Sequence, residues 1–281
     1  RFKERLGFSS LPRPKGTLIW FHASSVGESL SILPLMKRLC DVYPTINVLC
    51  TTGTVSSANI LKNRLPEKSF HQYMPIDRMS TIRRFLKHWQ PDLALWVESE
   101  LWPNLVTETS KTCPMLLING RMSDDSFEKW KKYASLGRHL LSRFSLVLSQ
   151  GDHDLVRFEQ LGARQCKNLG NIKYDSPPLP ADPKKMGELI NTIGQRTVWL
   201  ASSTHHNEEE MLADAYTQLK ANHQDLLLII APRHPDRADE VTRALTAKGL
   251  SVVQRSKDGQ IKETTDIYLA DPLGELGVFY R

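Results

Sequence analysis

Residues 93–104 read LALWVESELWPN. The first five form an unbroken apolar run of strand length, which predicts a buried strand. Two carboxylates follow, at Glu98 and Glu100, and then Trp102 and Pro103, where a helix would begin. An apolar strand that gives way to a polar cluster and then to a helix is the repeating unit of an open parallel α/β sheet. Ligands of such sheets bind outside the carboxyl ends of the strands. The stretch ESELWPN is therefore a candidate site.

The same unit recurs on both sides. Apolar runs predict strands at 17–22, 47–51, 115–119 and 146–149. Helical periodicity predicts helices at 28–40, 55–64 and 79–89, after Pro103, and after each of the last two strands. Residues 174–183, YDSPPLPADP, hold four prolines in ten positions, which neither a helix interior nor a central strand accepts. They predict a linker. The alternation then restarts, with strands at 197–201, 226–231, 251–254 and 267–270 and helices at 208–220 and 236–248. The fold class expected is α/β with two Rossmann-like halves. The boundaries are 1–173, a linker at 174–183, and 184–281 for a second, unfinished half.

The 281 residues are 40% hydrophobic and 24% charged, the composition of a globular protein. A net charge of +6, with no basic run interleaved with aromatics, argues against nucleic acid as a partner. It suits an anionic small molecule or an anionic membrane face. Cys40, Cys50, Cys113 and Cys166 form no CxxC pair and read as small hydrophobes in a reducing compartment. No apolar stretch approaches the roughly 20 residues of a membrane span, and no signal peptide is visible. The chain starts on Arg1 and stops as an apolar run begins at Val278, so a fragment cut at both ends is expected.

Each polar cluster at a strand end carries a structural and a functional reading. Ser25 and Glu28, in HASSVGE (22–28), match the S-x-x-E capping box. Glu28 also suits a general base, with Gly27 permitting close approach of a ligand, and the two roles are compatible. In ESELWPN, Trp102 reads as core, Pro103 as a helix start and one glutamate as a helix-dipole partner; the second carboxylate favours a site. Arg121, in NGRMS (119–123), either binds an anion or pairs with a glutamate. Lys173, in GNIKYD (170–175), either neutralises phosphate or developing charge or is a solvated lysine.

In SSTHHNEEE (202–210), Ser203 and Thr204 at a helix start would bind an anion or simply cap the helix. Adjacent His205 and His206 do not face one metal, and no further ligand has zinc spacing. Arg233 and His234, in APRHPDR (231–237), offer a guanidinium fork aimed by two prolines; the alternative is a rigid loop. Ser203, Thr204 and Arg233 are expected to face one crevice. Asp152 and Asp154 form a D-x-D, better read as a helix start than as a metal site.

Taken in order, HASSVGE, YMPID (73–77), ESELWPN, NGRMS, GNIKYD, SSTHHNEEE and APRHPDR resemble the motifs of the 3-deoxy-D-manno-octulosonic acid (Kdo) transferases along almost the whole chain. The resemblance implies an inverting, metal-independent, cofactor-free glycosyltransferase of the two-Rossmann-domain B type. It would act at the cytoplasmic face of the bacterial inner membrane, with CMP-Kdo as donor and a lipid A precursor, lipid IVA, as acceptor. By motif, Glu28 would be the base, and Glu98 or Glu100 with Lys173 would stabilise the transition state. Ser203, Thr204, Arg233, His234, Leu273, Gly274, Glu275 and Leu276 would bind CMP. Ser25, Gly27, Asn104 and Arg121 would face the acceptor or an anion. The family's N-terminal anchor and its later glycine- and asparagine-rich donor motif are not seen, so this chain is expected to be inactive as given. Two other readings compete: a UDP-sugar transferase or epimerase, and a non-catalytic module that binds anionic lipid.

Overall fold

Strand β1 (Leu18–Ala23) is buried at all six positions and lies inside the first sheet, with a paired strand on each side. The computed structural model describes residues 1–175, 178–257 and 259–281, and the chain divides into two compact units, Arg1–Pro177 and Pro178–Arg281. In the first unit six further strands follow: β2 (Asn47–Thr52), β3 (Ser69–Tyr73), β4 (Leu93–Val97), β5 (Met115–Gly120), β6 (Leu146–Ser149) and β7 (Cys166–Asn168). Their order across the sheet is β3-β2-β1-β4-β5-β6-β7, and every pairing is parallel.

Side chains alternate across that sheet, and both faces are buried. Leu18 and Trp20 of β1 join Trp96 and Leu117 in one apolar layer; Ile19, Phe21 and Ala23 join Val97 and Ile118 in the other. An all-parallel sheet needs helices on both faces, which explains why β1 and β4 carry no outward polar residue.

The second unit has β8 (Val198–Thr204), β9 (Leu227–Pro232), β10 (Val252–Gln254) and β11 (Ile267–Leu269), ordered β10-β11-β9-β8 and again parallel. It too has two apolar layers, one around Tyr216, Leu228 and Ile230 and one around Leu227, Ile229 and Tyr268. Among the described residues, no helix is long and apolar enough to cross a membrane.

Several expectations need correction. The helix expected at 28–40 is two helices, Val26–Ser31 and Leu33–Val42, because Pro34 has no N–H and its ring crowds the carbonyl of residue 30. Strands β3 and β7 were not expected; both are sheet edges whose residues are half-buried or polar, so no apolar run marks them. Ser203 and Thr204 lie in the strand, not at a helix start: β8 runs to Thr204 and the next helix, Glu208–Lys220, opens four residues later. The helix expected at 236–248 begins as a 3-10 turn, Pro235–Arg237, before Ala238–Ala247.

Of the proline-rich stretch, residues 176 and 177 lie outside the described residues. Tyr174 and Asp175 end a 3-10 turn, Ile172–Asp175, and Pro183 is the first residue of an unexpected helix, Pro183–Ile193. Asp182 caps that helix by accepting the Lys184 N–H at 2.9 Å.

Candidate active site

The strand order of the first unit reverses between β1 and β4. Outside the carboxyl ends of these two strands the crossovers leave in opposite directions, which opens a crevice there. The segments that line it are HASSVGE, leaving β1, and ESELWPN, leaving β4.

Ser25 caps the helix Val26–Ser31, its Oγ accepting the Glu28 N–H at 3.2 Å. The return half of the box is displaced by one residue: Glu28 Oε2 accepts the N–H of Ser24, at 2.7 Å, not that of Ser25. Glu28 is 7% exposed. Burial pushes its pKa up, the hydrogen bonds from Ser24 and Ser25 pull it down, and the charges of Glu98 and Glu100 push it up again; the net shift is upward. A carboxylate made more basic in this way is suited to accept a proton.

Glu98 and Glu100 do different things. Glu98 has φ 58, a left-handed conformation that costs a non-glycine residue energy and that collects at functional sites. Its N–H is held by the Ile118 carbonyl at 3.0 Å, and its Oε1 receives Lys173 Nζ at 2.7 Å. Glu100 turns its carboxylate to the indole N–H of Trp102 at 2.8 Å, while its carbonyl accepts the indole N–H of Trp96 at 2.8 Å. Trp102 itself is 39% exposed, so it is no core residue.

Other candidates divide. Gly27 has open space where a Cβ would stand, with Ser25 Oγ 4.0 Å away. The Asn104 side-chain amide is engaged by Asp77, donating to its carbonyl at 3.0 Å. Arg121 is exposed and has no side-chain hydrogen bond or ion pair among the described residues. Asp152 accepts from Asn168 and Asp154 from the Met122 N–H, at 2.8 and 2.7 Å, so the D-x-D is spent on structure. Among the described residues no cluster of three His, Cys, Asp or Glu could hold a metal ion.

In the second unit, Ser203 lies at the carboxyl end of β8, and Arg233 and the segment of Leu273, Gly274, Glu275 and Leu276 follow β9 and β11; the three strands are neighbours in the sheet. Ser203 sits in a register shift of β8 with φ 59 and is exposed. The Arg233 N–H bonds the Thr204 carbonyl at 3.0 Å, and the rings of His205 and His234 meet edge to face at 6.1 Å. Thr204 turns inward: it is buried and donates to Glu209 at 2.8 Å. The helix after it opens on its own acids, Glu208 accepting the His205 N–H, which leaves that terminus poor as an anion site. Leu273 is 84% exposed and Gly274 has φ 86, a conformation that favours glycine. Burial alone would raise the pKa of Glu275, yet ion pairs with Lys185 and Arg255 hold it below the ordinary value.

The family profile described as 3-Deoxy-D-manno-octulosonic-acid transferase (kdotransferase) matches residues 1–176. The 3-deoxy-D-manno-octulosonic acid transferase of Rickettsia bellii is 38% identical over 280 residues, covering 100% of this chain and 67% of that protein. The chain belongs to the 3-deoxy-D-manno-octulosonic acid transferase family. The transferases of Rickettsia felis, at 39% identity over 94% of this chain, and Haemophilus influenzae, at 34% over 100%, agree. This chain spans 57% to 67% of the length of these three curated relatives.

Solved structures give the fold of this transferase family member. A UDP-GlcNAc 2-epimerase from Neisseria meningitidis bound to UDP-GlcNAc superposes with TM-score 0.63 at 12% identity, over 94% of this chain and 74% of that one. A glycosyltransferase from Rickettsia africae superposes with TM-score 0.58 at 13% identity, over 95% and 71%. The fold is the two-Rossmann-domain glycosyltransferase B type.

Two residues of the family motifs escaped the reading of the sequence. Asp77, the last residue of YMPID, accepts the N–H groups of Asn104 and Leu105, at 3.2 and 2.7 Å, and so caps the helix Pro103–Thr109 that comes after ESELWPN. His22, the first of HASSVGE, is fully buried between Trp20 and Trp96, and burial lowers its pKa to about 4. The apolar run around His22 signalled its burial; nothing local signalled the partner of Asp77, 27 residues on.

Proposed function

We propose that this chain supplies the acceptor-side base and donor-side contacts of an inverting glycosyltransferase that moves Kdo from CMP-Kdo to a lipid A precursor, lipid IVA. The observation that carries this reading is the buried Glu28 carboxylate at the sheet's reversal point, made basic by burial and by Glu98 and Glu100. Glu28 takes the proton of the acceptor hydroxyl as its oxygen attacks the anomeric carbon. The bond from that carbon to the CMP phosphate breaks, and CMP leaves. Glu98 presents negative charge to the oxocarbenium-like centre, and Lys173, bonded to it, offsets charge that develops beside it.

Ser25, Gly27, Asn104 and Arg121 are assigned to the acceptor side, with Asn104 acting through its grip on Asp77. Ser203, Arg233, His234, Leu273, Gly274, Glu275 and Leu276 are assigned to CMP; Thr204 and Glu275 shape that surface from within. No metal or cofactor is required, and the work place is the cytoplasmic face of the bacterial inner membrane. The test is CMP release from CMP-Kdo in the presence of lipid IVA, with EDTA, by a chain of the relatives' full length. Release that needs a divalent ion, or that proceeds only from a UDP-sugar, refutes the reading.

A further inference from the structure

Lys173 reaches Glu98 from the short turn Ile172–Asp175, and its own side chain is 41% exposed. A flexible, solvated lysine holds one geometry only if its backbone is held first. A buried side chain from another strand does this. Asn119, the fifth residue of β5, is 5% exposed, and its Oδ1 accepts the Ile172 N–H at 3.1 Å. Asn171 Oδ1 then accepts the Lys173 N–H at 3.0 Å.

Asn119 is itself fixed. Gln150 donates its side-chain N–H to the Asn119 carbonyl at 3.1 Å, and φ at Asn119 is 53, a left-handed conformation that asparagine tolerates. The preceding residue, Ile118, holds the Glu98 N–H. Two consecutive residues of β5 thus hold the two partners of one ion pair, Glu98 by backbone and Lys173 by way of a side chain. Asn119 Nδ2 is buried and has no partner among the described residues, so here the amide acts through its oxygen.

We infer that Asn119 is a positioning residue: its side-chain oxygen anchors the turn that brings Lys173 to Glu98. The inference rests on the roles proposed above for Lys173 and Glu98. Two variants separate the contributions. Asn119→Gly removes the amide but keeps a residue at ease with positive φ. Asn119→Asp keeps the acceptor and replaces only the unpartnered nitrogen.

The first measurement needs no turnover. Hydrogen exchange at the Ile172 amide in this chain should quicken roughly 3- to 10-fold in Asn119→Gly, the loss of one ordinary hydrogen bond, and stay near the parent rate in Asn119→Asp. An Ile172 amide equally protected in Asn119→Gly overturns the inference. The second measurement uses a chain of the relatives' full length and compares kcat and KM of Asn119→Gly, Lys173→Met and the double variant. Asn119→Gly should lower kcat more than KM, and the double variant should be no slower than Lys173→Met alone. Deficits that multiply overturn the inference, because Asn119 would then act by a route other than Lys173. A loosened Ile172 amide in Asn119→Gly, together with normal turnover by Lys173→Met, supports the anchor and removes instead the role given to Lys173.

Discussion

At the residue scale, Glu28 both accepts the Ser24 N–H and faces two further carboxylates, and these demands give it a testable pH signature. Its folded-state pKa is raised, so ionisation is harder in the native protein than in the unfolded chain. Stability is then lost as pH rises from the ordinary glutamate range through the raised value. Glu28→Gln keeps an acceptor for Ser24 and carries no charge. It should melt at a higher temperature than the parent at neutral pH, with the gain vanishing in acid; an equal or lower melting temperature at neutral pH contradicts the raised pKa of the buried carboxyl. In a chain of the relatives' full length the same variant should lose roughly 10²–10⁴ in rate. The parent's rate should fall as pH drops through the raised pKa, a limb the variant lacks. Arg233→Ala should weaken CMP binding by roughly 1.5–3 kcal/mol, the worth of a charged hydrogen bond; calorimetry showing unchanged affinity removes Arg233 from the donor side. Sequence spacing located both carboxylates of ESELWPN but could not tell them apart. Their difference lies in a positive φ at Glu98 and in the turn of Trp102 toward Glu100, and neither leaves a trace in residue type.

At the scale of elements, Asp77 ties a loop after β3 to the first turn of the helix Pro103–Thr109, taking two amides that the helix cannot satisfy itself. Trp102 stands at the cap position and offers no acceptor there. Asp77→Ala should therefore cost about 1–2 kcal/mol of stability, measured by urea unfolding, and Asp77→Asn less, since one acceptor oxygen remains. A neutral Asp77→Ala would mean that the helix end is satisfied in another way. The elements that the sequence revealed are those with one-sided physics. LIWFHA, apolar but for His22, and LALWV are buried on both faces and read as apolar runs, and the helix Met79–Trp89 presents Ile82, Phe85, Leu86 and Trp89 at helical spacing. Edge strands β3 and β7 are exposed on one side and lose that signal. The break at Ile32 had its cause in plain view at Pro34, but the apolar period continued across it.

For the whole molecule, each unit encloses its own two apolar layers. Residues 1–175 alone should fold and melt in a single cooperative transition by circular dichroism; a broad, non-cooperative melt would show that the first sheet depends on the second unit. The repeating strand–helix alternation made the two-unit plan readable. The order of strands was not readable, because parallel pairing joins residues far apart in the chain by contacts that no local pattern records.

That order has a consequence for how the protein is made. β1 lies between β2 and β4, and its pairing with β4 joins Ile19 to Leu93. A ribosome adding roughly 5–20 residues per second takes about 4–14 s to cover the roughly 70 residues between them. Throughout that interval one edge of a wholly apolar-packed strand in the nascent chain stands open to any other strand that meets it. The segments HASSVGE and ESELWPN, which leave β1 and β4 and line the crevice between them, come together only when that wait is over.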